Sequence, residues 1–267
     1  MLEKLSLDGK IVVITGAGTG LGREMALAIA RAGGDLVLAA RRPVPIEEVA
    51  ALAGEIGSRA IAVPTDVTDT TQVDALFRRA LEEYGQVDVL INNAGIVRGQ
   101  AATPIWDVSD EDWRIGIDTN LSSAFYCSRA VAKHMADRGE GKIINVSSGF
   151  GLRGGRDNYM YTAAKGGVLQ LTRTLAMSLG RYGVTSTCIV PGFIPTEGTA
   201  TLKETQPSGK FIPVGRVGQP HEIGPIAVFL ASAASDYMNG EIFAVDGGGL
   251  AGGYAPTGYA PEVPLEA

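Results

Sequence analysis

Tyr161 and Lys165 stand four residues apart, and Ser148 lies thirteen residues before the tyrosine. Side chains at i and i+4 share one face of a helix, so this spacing sets an ammonium beside a phenol. The combination suits proton transfer. A phenol with a reference pKa of about 10 is a poor acid–base group at neutral pH, and a nearby cation favours its ionised form. Bringing it close to neutrality takes roughly 3 to 4 kcal/mol of differential interaction. A serine hydroxyl within reach would hold the oxygen of a carbonyl or an alcohol. Tyr and Lys four apart also occur on helix surfaces that do no chemistry, so the elements that position them must decide.

Ile11-Val12-Val13-Ile14 is an apolar, mostly β-branched run that predicts a strand buried on both faces. Thr15-Gly16-Ala17-Gly18-Thr19-Gly20-Leu21-Gly22 follows it directly, and helix formers run from Arg23 to Ala32. Glycines at such a junction let the backbone turn tightly and let a pyrophosphate approach the N–H groups at the positive end of the helix. A dinucleotide site is the expectation. A second strand, Leu36 to Ala40, ends at Arg41-Arg42. An acidic residue near that strand end would bind a ribose 2′-hydroxyl, whereas Ala40 stands there and a guanidinium suits a 2′-phosphate. NADP(H) is favoured over NAD(H), with a solvated arginine pair as the alternative reading.

Buried-strand signatures recur at 61–63, 87–91, 142–146, 185–190 and 241–245, separated by helical patterns such as Gln72 to Tyr84 and Glu111 to Arg138. Strand alternating with helix predicts a parallel sheet with right-handed crossovers and ligands at the carboxyl ends of its strands. That rule lines up Gly16, Asp66, Asn93, Ser148 and Pro191 along one edge.

Composition agrees. Among 267 residues, 45% are hydrophobic and 19% charged, as in a globular chain with an ample core. A net charge of −6 argues against a nucleic-acid partner. The two cysteines, Cys127 and Cys188, read as reduced core thiols, and His134 and His221 as surface or helix-end residues too few for a metal site. No apolar stretch reaches the ~18 residues of a membrane span, and no signal-peptide pattern opens the chain. A cytoplasmic protein with no membrane partner is expected.

The ordered series Thr15-Gly16-x-x-x-Gly20-x-Gly22, Asp66-Val67, Asn92-Asn93-Ala94-Gly95, Asn120, Ser148, Tyr161-x-x-x-Lys165, Pro191-Gly192 with Thr196, and Val245-Asp246-Gly247-Gly248 resembles the short-chain dehydrogenases/reductases. The likeness runs from Leu7 to about Gly248 and is strongest to the 3-oxoacyl-carrier-protein reductase subgroup. It implies an α/β, single-domain, doubly wound Rossmann fold with a seven-stranded parallel sheet over 1–248, followed by a Gly/Pro-rich tail, 249–267. It also implies site residues. Gly16, Gly18, Thr19, Gly20, Leu21 and Gly22 would cradle the cofactor, and Arg41 and Arg42 would meet its 2′-phosphate. Asp66 and Val67 would bind adenine, with Asn93, Ala94 and Gly95 on the adenosine side. Pro191, Gly192, Ile194 and Thr196 would hold the carboxamide. Ser148, Tyr161 and Lys165 would be catalytic, with Tyr161 and Lys165 also touching cofactor, and Asn120 would distort its helix and hold a water linked to Lys165. Thr19 departs from the basic residue common in NADP(H) members.

Substrate-side candidates implied by family position are Ser148, Gly149, Phe150, Arg153, Arg156, Asn158, Phe193 and the segment 197–212. The stretch from Gln100 to Trp106 resembles a lip over the cleft, with Trp106 and Trp113 read as packing residues. Apolar surface on the Tyr161 to Tyr182 helix exceeds one stripe and predicts a homodimer or homotetramer. The function expected is hydride transfer between NADP(H) and a ketone or secondary alcohol. The alternatives are an NAD(H)-dependent sugar or polyol dehydrogenase and a non-catalytic dinucleotide-binding module on the same fold.

Overall fold

The computed structural model describes residues 2–96, 103–197 and 212–251. Each apolar segment forms a strand: β1 (Ile11–Thr15), β2 (Asp35–Ala40), β3 (Ala60–Pro64), β4 (Val89–Asn92), β5 (Gly141–Val146), β6 (Val184–Pro191) and β7 (Ile242–Val245). They pair in parallel in the order β3-β2-β1-β4-β5-β6-β7. The order reverses between β1 and β4, which opens a crevice at the carboxyl ends.

The continuous apolar runs follow from helices on both faces. Val12 and Ile14 of β1 enter one core with side chains of α1 (Gly20–Arg31), α2 (Pro43–Ile56) and α8 (Gly224–Ala231). Ile11 and Val13 enter the other, with α3 (Thr70–Tyr84) and α5 (Ser123–Arg138). Beside that second core, Val168 and Leu169 of α7 (Tyr159–Leu179) pack on Cys188 and Val190 of β6. Both cysteines are free and buried.

The pattern from Glu111 to Arg138 is not one helix. α4 (Asp110–Ile117) gives way to a wider π turn, Asp118–Ser122, before α5 begins. The Asn120 side chain supplies the reason: its Nδ2 donates to the Gly116 carbonyl at 2.9 Å, entering the i→i−4 ladder as a competing donor. The helix carrying Tyr161 starts two residues before it, at Tyr159, and its last stretch to Tyr182 is a separate 3-10 turn, Gly180–Tyr182. No helix among the described residues is long and apolar enough to cross a membrane.

Two polar assemblies fasten the sheet. In its middle, Asn92 of β4 faces Asn145 of β5 in register. Asn92 Nδ2 donates to Asn145 Oδ1 at 2.9 Å and to Ser128 Oγ of α5 at 3.0 Å, while Asn145 Nδ2 donates to Thr172 Oγ1 of α7 at 2.9 Å. Buried amides pay a desolvation cost unless bonded in this way, so the chain of bonds sets α5 and α7 against particular strands. At the opposite, amino-terminal edge, Asp88 is 4% exposed and accepts from Ile11 N at 2.8 Å and Arg138 Nη2 at 2.9 Å.

His134 adjoins that second assembly and is half-buried rather than a surface group, because its Nε2 accepts from the Val87 amide at 3.2 Å. Burial, helped by Arg138, lowers its pKa. The native state therefore favours the neutral ring, and this stabilisation is lost as pH falls from the ordinary value of about 6.5 through the lower folded value. Melting temperature should decline over that window in the wild type. His134→Gln, which keeps an acceptor without titrating, should flatten the decline, and calorimetry at pH 7.5 and 5.0 measures both.

Candidate active site

The glycine turn is held by contacts that leave no room for side chains. Gly16 and Gly20 adopt left-handed backbone, φ 66° and 55°. A Cβ on Gly16 would stand 2.9 Å from Ala94 Cα, and one on Gly22 would run into the Gly16 carbonyl. Asn93 braces the turn, with Nδ2 donating to Thr15 O at 3.0 Å and Gly16 O at 3.1 Å. Asn93, expected on the adenosine side, thus also shapes the turn. Thr19, the N-cap of α1, makes no capping bond, and no acid sits in the first turn. That positive helix end is left for an anion.

Gly18 brings the arginines to this cradle. With a hydrogen for a side chain it lets α2 press close, a Cβ there falling 2.8 Å from Pro45 Cβ. Arg42 is the N-cap of α2, and both Arg41 and Arg42 are exposed beyond the end of β2. Asp66 follows β3, accepting from Thr68 N at 3.0 Å, and Val67 is buried beside it. Thr196 packs on Gly20, where a Cβ would meet it at 3.2 Å. Pro191 ends β6, Gly192 N donates to Val245 O at 2.9 Å, and Ile194 is buried. The carboxyl edge thus gathers the expected set.

Ser148 follows β5 and caps the short helix α6 (Gly149–Leu152), accepting from Phe150 N at 3.2 Å. Its hydroxyl lies near enough to the Tyr161 phenol to favour the ionised form. Lys165 is 4% exposed, and its Nζ donates to Val146 O at 2.9 Å and lies 5.7 Å from the Tyr161 ring centroid. Burial pushes the Tyr161 phenol above its usual pKa, with nearby Ser148 pulling the other way. Burial likewise lowers Lys165 to about 8, opposed by neighbouring Cys188. The expected downward tuning needs Lys165 and a cationic nicotinamide ring together; with the protein alone around the phenol, loss of water dominates.

Asn120 is buried at the π turn, as its family position implied, but its amide is spent on backbone. Nδ2 donates to Gly116 O and, at 3.1 Å, to Ile96 O, while Oδ1 accepts from Ile96 N at 3.1 Å. Gly95 lies between Asn120 and Lys165, where a Cβ would be 2.8 Å from Asn120 Oδ1 and 3.5 Å from Lys165 Nζ.

On the substrate side, the Phe150 ring packs edge-on against Tyr161 at 6.4 Å, and the Arg153 guanidinium sits over Phe150 at 5.4 Å. Asn158 is buried at the start of α7 with Oδ1 unbonded among the described residues. Phe193 is half-buried and Arg156 is exposed. Positions 97–102, which include the first three residues of the lip, positions 198–211 and residues 252–267 of the tail lie outside the described residues. Trp106 and Trp113 do not pack inside; they are 81% and 43% exposed. Sequence reasoning missed the Asn92–Asn145–Thr172 assembly, whose signal was an asparagine following an apolar run in each of two neighbouring strands.

A family model described as Enoyl-(Acyl carrier protein) reductase matches residues 16–249. The chain belongs to the short-chain dehydrogenase/reductase family. Within it, the 2-dehydro-3-deoxy-D-gluconate 5-dehydrogenase of Escherichia coli K12 is 41% identical over 259 residues, 94% of this chain and 99% of the relative. A 3-oxoacyl-[acyl-carrier-protein] reductase of Synechocystis is 39% identical over 245 residues, covering 91% and 98% of the two chains. Among solved structures, a gluconate 5-dehydrogenase from Burkholderia cenocepacia in complex with NADP and tartrate superposes with TM-score 0.87 at 35% identity, covering 94% of this chain and 98% of that one. Like its short-chain dehydrogenase/reductase relatives, the chain is an oxidoreductase that moves hydride between a nicotinamide cofactor and a CH–OH group or ketone.

The fit at the glycine turn is steric, so it can be tested there. Gly22→Ala drives a methyl into the Gly16 carbonyl and should weaken nicotinamide cofactor binding about ten-fold, the equivalent of a modest overpacking penalty. Titration calorimetry against the wild type measures it.

Proposed function

We propose that this enzyme interconverts a keto sugar acid and its hydroxy acid with NADP(H), using Ser148, Tyr161 and Lys165 as its catalytic set. The observation that carries the reading is the buried Lys165 ammonium 5.7 Å from the Tyr161 ring centroid, with the Ser148 hydroxyl on the side of the phenol. The backbone of Gly16 to Gly22 and the open end of α1 would hold the cofactor pyrophosphate. Asp66, Val67 and Ala94 would flank adenosine, and Pro191, Gly192, Ile194 and Thr196 the nicotinamide end. The nicotinamide cofactor, when bound, gives or takes the hydride. In reduction, Ser148 donates to the substrate oxygen while Tyr161 passes its proton to that oxygen as the carbonyl becomes an alcohol. Lys165 stabilises the phenolate left behind, and Asn120 positions the backbone next to it.

A phenol held above its usual pKa is protonated at neutral pH, the state that reduction needs. As pH rises, Lys165 loses its charge near 8 and the phenol ionises later. Reduction should therefore fall on the alkaline side and oxidation should rise, as stopped-flow traces across pH 6 to 10 would record. Tyr161→Phe should lower kcat by about 10² to 10⁴ with cofactor affinity kept.

Two observations support the sugar-acid reading over a 3-oxoacyl thioester. The Escherichia coli relative acts, by its name, on 2-dehydro-3-deoxy-D-gluconate, and Arg153 places a cation one ring away from Tyr161, suited to a carboxylate. Turnover of 5-dehydro-D-gluconate against acetoacetyl-CoA decides between them.

For the cofactor, Ala40, Arg41 and Arg42 at the end of β2, together with the NADP bound in the Burkholderia structure, support NADP(H). Arg41→Ala should lose most of the NADPH preference, since a charge-assisted bond to phosphate is worth about 1.5 to 3 kcal/mol. A wild type preferring NADH would remove the assignment. Exposed Phe125 of α5 and Met177 of α7, 44% and 84% accessible, support a homodimer or homotetramer. Two free thiols fit a reducing cytoplasm.

A further inference from the structure

The chain past β7 folds back on one carboxylate. Asp246 Oδ1 accepts from the Gly248 amide at 2.9 Å and Oδ2 from the Leu250 amide at 2.8 Å, while the Asp246 carbonyl accepts from Gly249 N at 3.1 Å. Gly247 and Gly248, with φ 62° and 87°, make so tight a reversal possible. Neither the cofactor cradle nor the catalytic set accounts for this arrangement.

The turn lies against three parts of the carboxyl edge. Its backbone abuts Gly192, where a Cβ would fall 2.5 Å from Asp246 Cα. Gly247 O accepts from Val214 N at 3.2 Å, and a Cβ on Gly247 would run into the side chains of Ile212 and Val214, where the substrate-side segment ends. Leu250 packs with Val168 and Leu169 of α7 and Cys188 and Val190 of β6, and its methyls lie 3.9 and 4.0 Å from where a Cβ on Gly149 would stand. Gly149 is the residue after Ser148, and the next amide, Phe150 N, donates to Ser148 Oγ at 3.2 Å.

We propose that Asp246 is a positioning residue: by holding two amides it seats Leu250 against Gly149, and Leu250 in turn fixes the Ser148 hydroxyl for the substrate oxygen. Lys165 needs no such backing, since its ammonium is held by Val146 O. The kinetic part of this inference rests on the catalytic role proposed for Ser148. The structural part does not.

The test pairs Asp246→Ala, which removes both acceptors, with Leu250→Ala, which shortens the side chain and leaves the turn. Hydrogen exchange at the Leu250 amide should quicken about ten-fold in Asp246→Ala, and exchange at the Phe150 amide about ten-fold in both variants, with α1 unchanged. With 5-dehydro-D-gluconate and NADPH, each variant should slow single-turnover reduction about ten-fold, as a small misplacement of a reacting group does, while NADPH affinity holds. Because the carboxylate acts through the leucine, the double variant should also lose about ten-fold rather than about a hundred-fold. Asp246→Asn, which keeps one acceptor oxygen, should fall between the wild type and Asp246→Ala. Unchanged exchange at Phe150 in Leu250→Ala overturns the link to Ser148, and losses that multiply in the double variant overturn the route through Leu250. If the wild type does not turn over this keto acid, the sugar-acid reading fails while exchange at Phe150 still decides the proposal.

Discussion

A lysine ammonium that water barely reaches is the demand around which this site is organised. Removing such a charge from water costs several kcal/mol unless it is bonded, and the structure answers from the end of β5. Val146 accepts from the Lys165 ammonium, and the Ser147 hydroxyl donates to the Lys165 carbonyl at 2.7 Å, so strand and helix meet at both ends of one residue. The Asn145–Thr172 bond makes the same connection two turns further along α7. Because Ser148 is the next residue after Ser147, the groups that stabilise the lysine also place the serine opposite the tyrosine. The geometry proposed for catalysis is held by the same bonds that accommodate a buried cation.

Most of the architecture was legible in the sequence because a parallel sheet covered on both faces needs uninterrupted apolar strands, and these stand out wherever they occur. The spacing of Ser148, Tyr161 and Lys165 was equally legible, since it is local to one strand end and one helix. The break at Asp118–Ser122 was not readable from periodicity. It arises when the Asn120 amide takes a backbone acceptor, a contest that composition does not record. The burial of the Tyr161 phenol was hidden for a related reason: adjacency of Lys165 follows from spacing, whereas loss of water depends on what the whole fold lays over the ring.

The cofactor side shows how one absent side chain can join distant segments. Gly18 belongs to the turn that would receive the pyrophosphate, yet its lack of volume is used by α2, whose first residues follow Arg41 and Arg42. Any side chain at position 18 would push α2, and the arginines with it, away from the cradle. If the proposed cofactor site holds, recognition of the two ends of the adenosine moiety would be mechanically linked through a contact that touches neither.

The π turn between α4 and α5 carries one residue more than an α-helix would use over the same length. Successive residues of an α-helix are rotated by about 100°, so the extra residue sets the angular phase of everything that follows. Ser128 of α5 meets Asn92 only in the present phase. A one-residue deletion anywhere in 118–122 would let the helix run straight through and turn that hydroxyl away from the sheet, while point substitutions on the outer face would leave the phase intact. Variation in chain length, rather than in residue type, is what this part of the molecule is built to forbid.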